Sequence, residues 1–205
     1  MYFRSNHQAF SAESKVLIVY CHPNPKSFNH AIRERLESEL KSASAEFRTR
    51  DLYQIKFDAV LDGEDFTQFK SGHVPHDIAV EQKEILWADR IAFIYPLWWF
   101  DRPAMLKGYI DRVFSYGFAF KYGDKGAEGL LTHKKALVLM TTGTPEPILK
   151  PVSEVLPVAM RDGTLKFSGI REVQWKTFYG VVSASDGDRK AMLEEIPALA
   201  KSLAD

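Results

Sequence analysis

Five short strand-like runs recur along the chain, each followed by a loop and a segment long enough for a helix. Lys15 to Cys21 (KVLIVYC), Arg90 to Tyr95 and Lys135 to Thr141 are the most apolar. Near-continuous β-branched runs of that length suit strands buried on both faces, as in a parallel sheet. Phe47 to Leu52 is half-polar, and Glu172 to Tyr179 is the fifth. Between them, Asn29 to Ser42 places Ile32, Leu36 and Leu40 one helical turn apart. Asp77 to Ala88 reads as a helix with Asp77 as N-cap, and Pro103 to Phe114 as another that Pro103 opens. Ser153 to Arg161 is a further helical candidate, and Asp186 to Leu203 closes the chain as one helix. Tyr53 to Pro75 reads as irregular, and Tyr116 to Leu130 as an ordered aromatic loop.

Strands alternating with helices imply right-handed crossovers and a doubly wound α/β sheet of order 2-1-3-4-5, with helices on both faces. No repeat or linker divides the chain, so residues 15–205 are expected to form one domain behind a loose tail over residues 1–14. Lysine plus arginine balance aspartate plus glutamate at 27 each, without the basic excess of a nucleic-acid binder. The single cysteine, Cys21, excludes an internal disulfide and suits a reducing cytosol. As the end of a buried strand it reads as an inert packing residue. His73 and His76 lack a third metal ligand nearby in sequence, so no metal is expected. The Arg33, Glu34, Arg35, Glu37 run reads as a solvated helix face.

In such a sheet, ligands bind beyond the carboxyl ends of the strands. The loop after the first strand, His22 to Asn29, runs directly into a helix. Ser27 and Asn29 there serve equally well as an ordinary N-cap or, with the free amides, as a phosphate cradle. The loop has neither the Walker pattern nor G-x-G-x-x-G. After the third strand come Pro96, Leu97, Trp98, Trp99 and Phe100. Rings that large cover a flat ligand, a core edge or a dimer contact. After the fourth come Thr141, Thr142 and Gly143, whose hydroxyls and small Gly suit the polar edge of a ligand.

The segments HPNPKSFNHAI (22–32), HDIAVEQKEILWAD (76–89), PLWWFDRPAMLKGYIDRVFSYGFAF (96–120) and TTGT (141–144) resemble the NAD(P)H:quinone oxidoreductase family. These are flavodoxin-like proteins that include ancillary subunits of bacterial potassium-efflux systems. The likeness implies a flavin, FAD favoured over FMN because the SFN loop matches the FAD-binding members. It implies that His22, Ser27, Phe28, Asn29 and Ala31 hold the phosphate side, that Pro96 to Phe100 line the ring, and that Thr141, Thr142 and Gly143 sit at its other edge. Phe118, Phe120 and Tyr122 would form an aromatic wall reaching the partner subunit's site in a homodimer. NAD(P)H would give hydride and a quinone-like acceptor would take it, in ping-pong fashion. A cytoplasmic location follows, peripheral to the inner membrane in the alternative reading of a redox-sensing subunit on a potassium-efflux transporter.

Two features depart from the mammalian-type pattern. Thr144 stands where a second Gly is expected, and Pro145 to Leu149 lacks the Tyr and His that assist proton transfer there. No catalytic acid or base is therefore assigned; Tyr122 and Tyr179 are the candidates. The stretch from Leu61 to Val74 is also shorter than in the mammalian enzymes, where it helps cover the adenosine half of FAD.

Overall fold

The first strand, β1 (Lys15–Tyr20), sends alternate side chains to two separate cores. Leu17, Val19 and Cys21 enter one, and Val16, Ile18 and Tyr20 the other. Period-two alternation with every residue from Val16 on buried is the pattern of a strand covered on both sides. The computed structural model describes residues 14–204; the expected loose tail lies outside the described residues, apart from Ser14, which is buried.

The elements that follow are α1 (Phe28–Ser42), β2 (Glu46–Asp51), α2 (Gly63–Lys70), α3 (His76–Trp87), β3 (Arg90–Pro96) and α4 (Ala104–Val113). Next come the strands β4 (Phe120–Gly123), β5 (Gly126–Gly129) and β6 (Lys135–Thr141). A short α5 (Glu146–Leu149), a 3-10 turn (Lys150–Val152) and a π-helix (Val158–Lys166) lead to β7 (Glu172–Phe178), α6 (Asp186–Glu194) and α7 (Ile196–Ala204). The five long strands pair in parallel in the order β2-β1-β3-β6-β7. That is the expected 2-1-3-4-5 order, with β4 and β5 set apart as an antiparallel hairpin.

One core joins the sheet to α3, α4 and the π-helix through Ile85, Leu106, Tyr109, Val113, Met160 and Leu165. The other joins it to α1 and α7 through Ile32, Leu36, Leu40, Ile196, Ala200 and Leu203. The expected apolar stripe of α1 is thus the buried one.

Several expectations change. The stretch after Tyr53 holds a helix, α2, whose one buried residue is Asp65. No apolar stripe marks it, because a buried ion pair anchors it: Arg112 Nε donates to Asp65 Oδ2 at 2.7 Å and Nη1 to Asp77 Oδ2 at 2.5 Å. Asp77 therefore serves Arg112, and Pro75 occupies the N-cap position of α3. The aromatic loop contains the β4–β5 hairpin. The closing helix breaks in two, with Ser185 and Asp188 forming a capping box on α6. Helix expected from Ser153 gives way to the π-helix further on. Arg33 is not solvated: it pairs with Asp51 at 3.0 Å and its guanidinium lies over the Tyr20 ring.

Candidate active site

The carboxyl ends of β1, β3 and β6 open into a cleft of about 440 Å³. Its lining includes His22, Ser27, Phe28, Asn29, Pro96, Leu97, Trp98, Thr141 and Gly143, so the three loops singled out from sequence do converge.

Ser27 caps α1, its Oγ accepting from His30 N at 3.2 Å. The capping role is therefore filled. The amides of His30 and Ala31 turn back to the Ser27 carbonyl. Those of Phe28 and Asn29 have no acceptor among the described residues, the usual state of the first N–H groups of a helix. They supply the positive end of the helix dipole to this side of the cleft.

Asn29 is buried, and its Nδ2 donates to Thr141 Oγ1 at 2.7 Å. That bond ties the start of α1 to the end of β6. Its Oδ1 is buried without a donor. His22 accepts the Asn24 amide on Nδ1 at 3.0 Å, so the neutral ring carries its proton on Nε2. Burial holds its pKa below the ordinary histidine value, against the opposing bond from Asn24. The His22 ring lies 5.7 Å from the Trp98 ring.

The loop after β3 is a tight reversal. Trp98 N donates to Asp101 O at 2.9 Å and Asp101 N to Trp98 O at 3.0 Å. Between them Trp99 and Phe100 both adopt left-handed backbone, with φ of 51° and 61°. Non-glycine residues there cost about 1–2 kcal/mol each. Trp99 is 99% exposed and Phe100 63% exposed, so little packing among the described residues offsets the strain. Neither amide has an acceptor among the described residues. Strain of this kind concentrates at functional sites.

Across the cleft, Thr142 N donates to Phe178 O at 2.9 Å and Thr144 N to Thr142 Oγ1 at 3.1 Å. The Gly143 amide has no acceptor among the described residues. A Cβ on Gly143 would come within 3.2 Å of Val182 Cγ2, so the chain fits closely there. Val181, Val182 and Asn24 also line the cleft. Sequence reasoning missed them; their signal was position beyond a strand end, not residue type. Ala31 follows in the first turn of α1 and, like Trp99, Phe100 and Thr142, is not part of the lining.

Phe118, Phe120 and Tyr122 do not line this cleft. Phe120 packs on Phe167 at 5.2 Å, and Tyr122 stacks on Tyr116 at 6.0 Å, both near the far end of α4. Tyr179 is half-buried, packs on the core and lines a groove with Pro145 and Glu146. Neither candidate tyrosine faces the main cleft. Cys21 is fully buried, which pushes its thiol up to about 12. Arg102, directly behind the aromatic turn, is buried with Asp101 3.9 Å away, and its Nε has no acceptor among the described residues. Among the described residues no three His, Cys, Asp or Glu side chains converge as metal ligands, and no helix is long and apolar enough to cross a membrane.

The fold and site define an α/β protein of the doubly wound class with a cleft at the switch point, where ligands of such folds bind. Residues 14–200 match the family described as Flavodoxin-like fold, and the chain belongs to that family. An uncharacterized NAD(P)H oxidoreductase of Haemophilus influenzae is 37% identical over 181 residues, covering 87% of this chain and 90% of that protein. The NAD(P)H:quinone oxidoreductase of Methanothermobacter marburgensis superposes with a TM-score of 0.84 at 32% identity, covering 94% of this chain and 98% of that one. The chain is accordingly an oxidoreductase. An FMN-dependent NADH-azoreductase from Bacillus anthracis str. Ames Ancestor, solved in complex with FMN, shares the fold at 21% identity with a TM-score of 0.73, covering 94% of this chain and 100% of that one.

Proposed function

We propose that this protein is a flavin-dependent NAD(P)H oxidoreductase that reduces quinones or similar flat acceptors. One observation carries the reading. A helix start with free amides faces Pro96, Leu97 and Trp98 across one cleft, and a strained turn with free amides follows directly on Trp98. The first suits the flavin phosphate, and the second suits a flat ring with polar edges. A flavin held there would supply hydride chemistry between a nicotinamide and an acceptor.

The chain's own residues bind, orient and exclude water. Phe28 and Asn29 amides and Ser27 meet the phosphate. His22, neutral and with Nε2–H, adds a donor on that side. Leu97, Trp98 and Val181 give the ring an apolar floor. The amides of Trp99, Phe100 and Gly143 meet its polar edges. Trp99 and Phe100 cover the stacked donor or acceptor, which use one slot in turn. Donor and acceptor held in that slot gain from proximity alone.

A homodimer completes the slot in this reading, with Phe118, Phe120 and Tyr122 closing the partner's site. Of the two flavins, the expectation of FAD from the SFN loop gains no support: the flavin named in a fold neighbour is FMN. Heat-released cofactor from purified protein, separated by chromatography, identifies it. Recovery of FMN or FAD at one per chain supports the reading; a colourless protein that takes up neither flavin refutes it.

A further inference from the structure

Tyr20 and Asp51 stand side by side in the register of β1 and β2, each the last residue of its strand. Beyond them opens a cleft of about 400 Å³. Its floor is an ion pair laid on an aromatic ring. Arg33 Nη1 donates to Asp51 Oδ2 at 3.0 Å, and the guanidinium lies 4.8 Å from the centre of the Tyr20 ring. Pro23 and Pro25 line the cleft from the β1–α1 loop, and Tyr53 and Gln54 from the turn after β2. His22 lines both this cleft and the strand-end cleft, so the two meet at its ring.

The charges of the floor offset each other, but the polar groups around it are not used up within the chain. The Tyr53 hydroxyl and the Gln54 side-chain amide have no hydrogen-bond partner among the described residues. His22 accepts the Asn24 amide on Nδ1, which leaves its Nε2–H free to donate. Asp51 Oδ1 accepts the Gln54 backbone amide at 3.1 Å, and a carboxylate oxygen accepts more than one bond. Lys26, in the same loop as His22, pairs with no carboxylate among the described residues.

Each part of a nucleoside phosphate finds its complement here. A ribose diol both donates and accepts, which suits Asp51 beside Arg33. In dinucleotide-binding folds of the doubly wound class, a carboxylate about 20 residues beyond the first βα turn takes a ribose hydroxyl, and Asp51 lies at that distance. A flat base needs an apolar or aromatic face and a bond or two at its edge, which Tyr53, the prolines and Gln54 supply. A phosphate needs donors and positive potential, which His22 Nε2–H, Lys26 and the start of α1 supply where the two clefts meet. An apolar ligand would leave these groups without water or partner. A small anion would use one end of the cleft only.

We infer that this cleft binds a nucleoside phosphate, with the base between Tyr53 and the prolines, the ribose over Asp51 and the phosphate beside His22. The site stands on the cleft's own residues, whether or not a flavin occupies its neighbour. Two sources share that chemistry: a free mononucleotide, and the nucleoside end of a dinucleotide that reaches into both clefts.

Calorimetric titration of the purified full chain with adenosine 5′-monophosphate tests this without turnover. Ribose 5-phosphate and 2′-deoxyadenosine 5′-monophosphate are the truncated probes. The wild type binds the intact probe roughly tenfold or more tighter than ribose 5-phosphate, because the base is buried. It binds the 2′-deoxy probe roughly tenfold more weakly than the intact one, because Asp51 loses a partner. Gln54→Ala, at an exposed position, and Tyr53→Leu each reduce the preference for the base and leave ribose 5-phosphate binding unchanged. Failure to bind the intact probe overturns the inference, as does equal affinity for it and ribose 5-phosphate, or a preference that survives both variants. Titration in the presence of FMN, FAD or NADH separates the sources. FAD or NADH that displaces the probe where FMN does not identifies a dinucleotide; a probe that none of them displaces identifies a free mononucleotide. A probe that FMN displaces fully has bound in the strand-end cleft, which overturns the inference. Probe binding by a protein that takes up no flavin upholds this site and sinks the flavin reading alone, and flavin uptake without probe binding does the reverse.

Discussion

Asn29 on the first turn of α1 and Thr141 at the end of β6 are joined by a buried hydrogen bond of 2.7 Å. The bond spans 112 residues of chain and fixes the helix start against the central strands. Asn29 Oδ1 remains buried without a donor among the described residues, so only one end of the amide is satisfied within the fold.

Asn29→Leu keeps the volume and removes both ends. It leaves the Thr141 hydroxyl to rearrange, at a cost of about 1–3 kcal/mol. Flavin affinity falls roughly tenfold or more, because the helix start is no longer held. Thermal melting of the apoprotein and fluorescence titration with flavin read the two effects separately. Unchanged flavin affinity in a folded variant would contradict the assignment.

Removing Arg112 leaves the Asp65 carboxylate buried and unpaired. Arg112→Met is expected to cost about 3–5 kcal/mol. The bidentate bond from Arg112 holds the Asp65 carboxyl below the usual aspartate value of 3.8. A group whose folded pKa is depressed contributes stability above its unfolded pKa and loses it as pH falls through the folded one. Stability therefore declines below pH 3.8, and Asp65→Asn flattens that part of the curve. Denaturant melts across acid pH check this; parallel curves for wild type and variant would refute it.

Burial pushes the Cys21 thiol up to about 12, so almost no thiolate exists at neutral pH. Ellman's reagent should react with native protein only as fast as the protein opens, and promptly in denaturant. The raised folded pKa stabilises the fold below the ordinary thiol value of 9.0, and that share is lost as pH rises towards 12. Fast labelling of folded protein at pH 7 would contradict the buried assignment.

Arg102 is buried without a carboxylate at hydrogen-bond distance. Replacing a poorly compensated buried charge by an apolar side chain of similar length is often neutral or stabilising. Arg102→Met, beside Met160, should hold or raise Tm. A fall of several degrees would show that the guanidinium has a stabilising role.

The sheet was legible because β1, β3 and β6 are buried on both faces and read as continuous apolar runs. The helix α1 was legible because its stripe is complete. The helix α2 was not, because an ion pair between distant residues holds it. Asp77 looked like a cap in sequence for the same reason: its partner, Arg112, is 35 residues away. The hairpin β4–β5 pairs Phe120 with Gly129 and Lys121 with Glu128, too few apolar positions to show a period. In the site, the loop residues were readable from their strand-end positions. The positive φ of Trp99 and Phe100 was not, since neither residue type signals a left-handed turn.

Anaerobic reduction tests the central claim most directly. Flavin-loaded protein is titrated with NADPH or NADH under argon, and its visible absorbance is followed before and after a quinone is added. Bleaching by one equivalent of nicotinamide per flavin, then recovery on quinone addition, is the predicted result. Flavin bands that no reduced nicotinamide bleaches would contradict it.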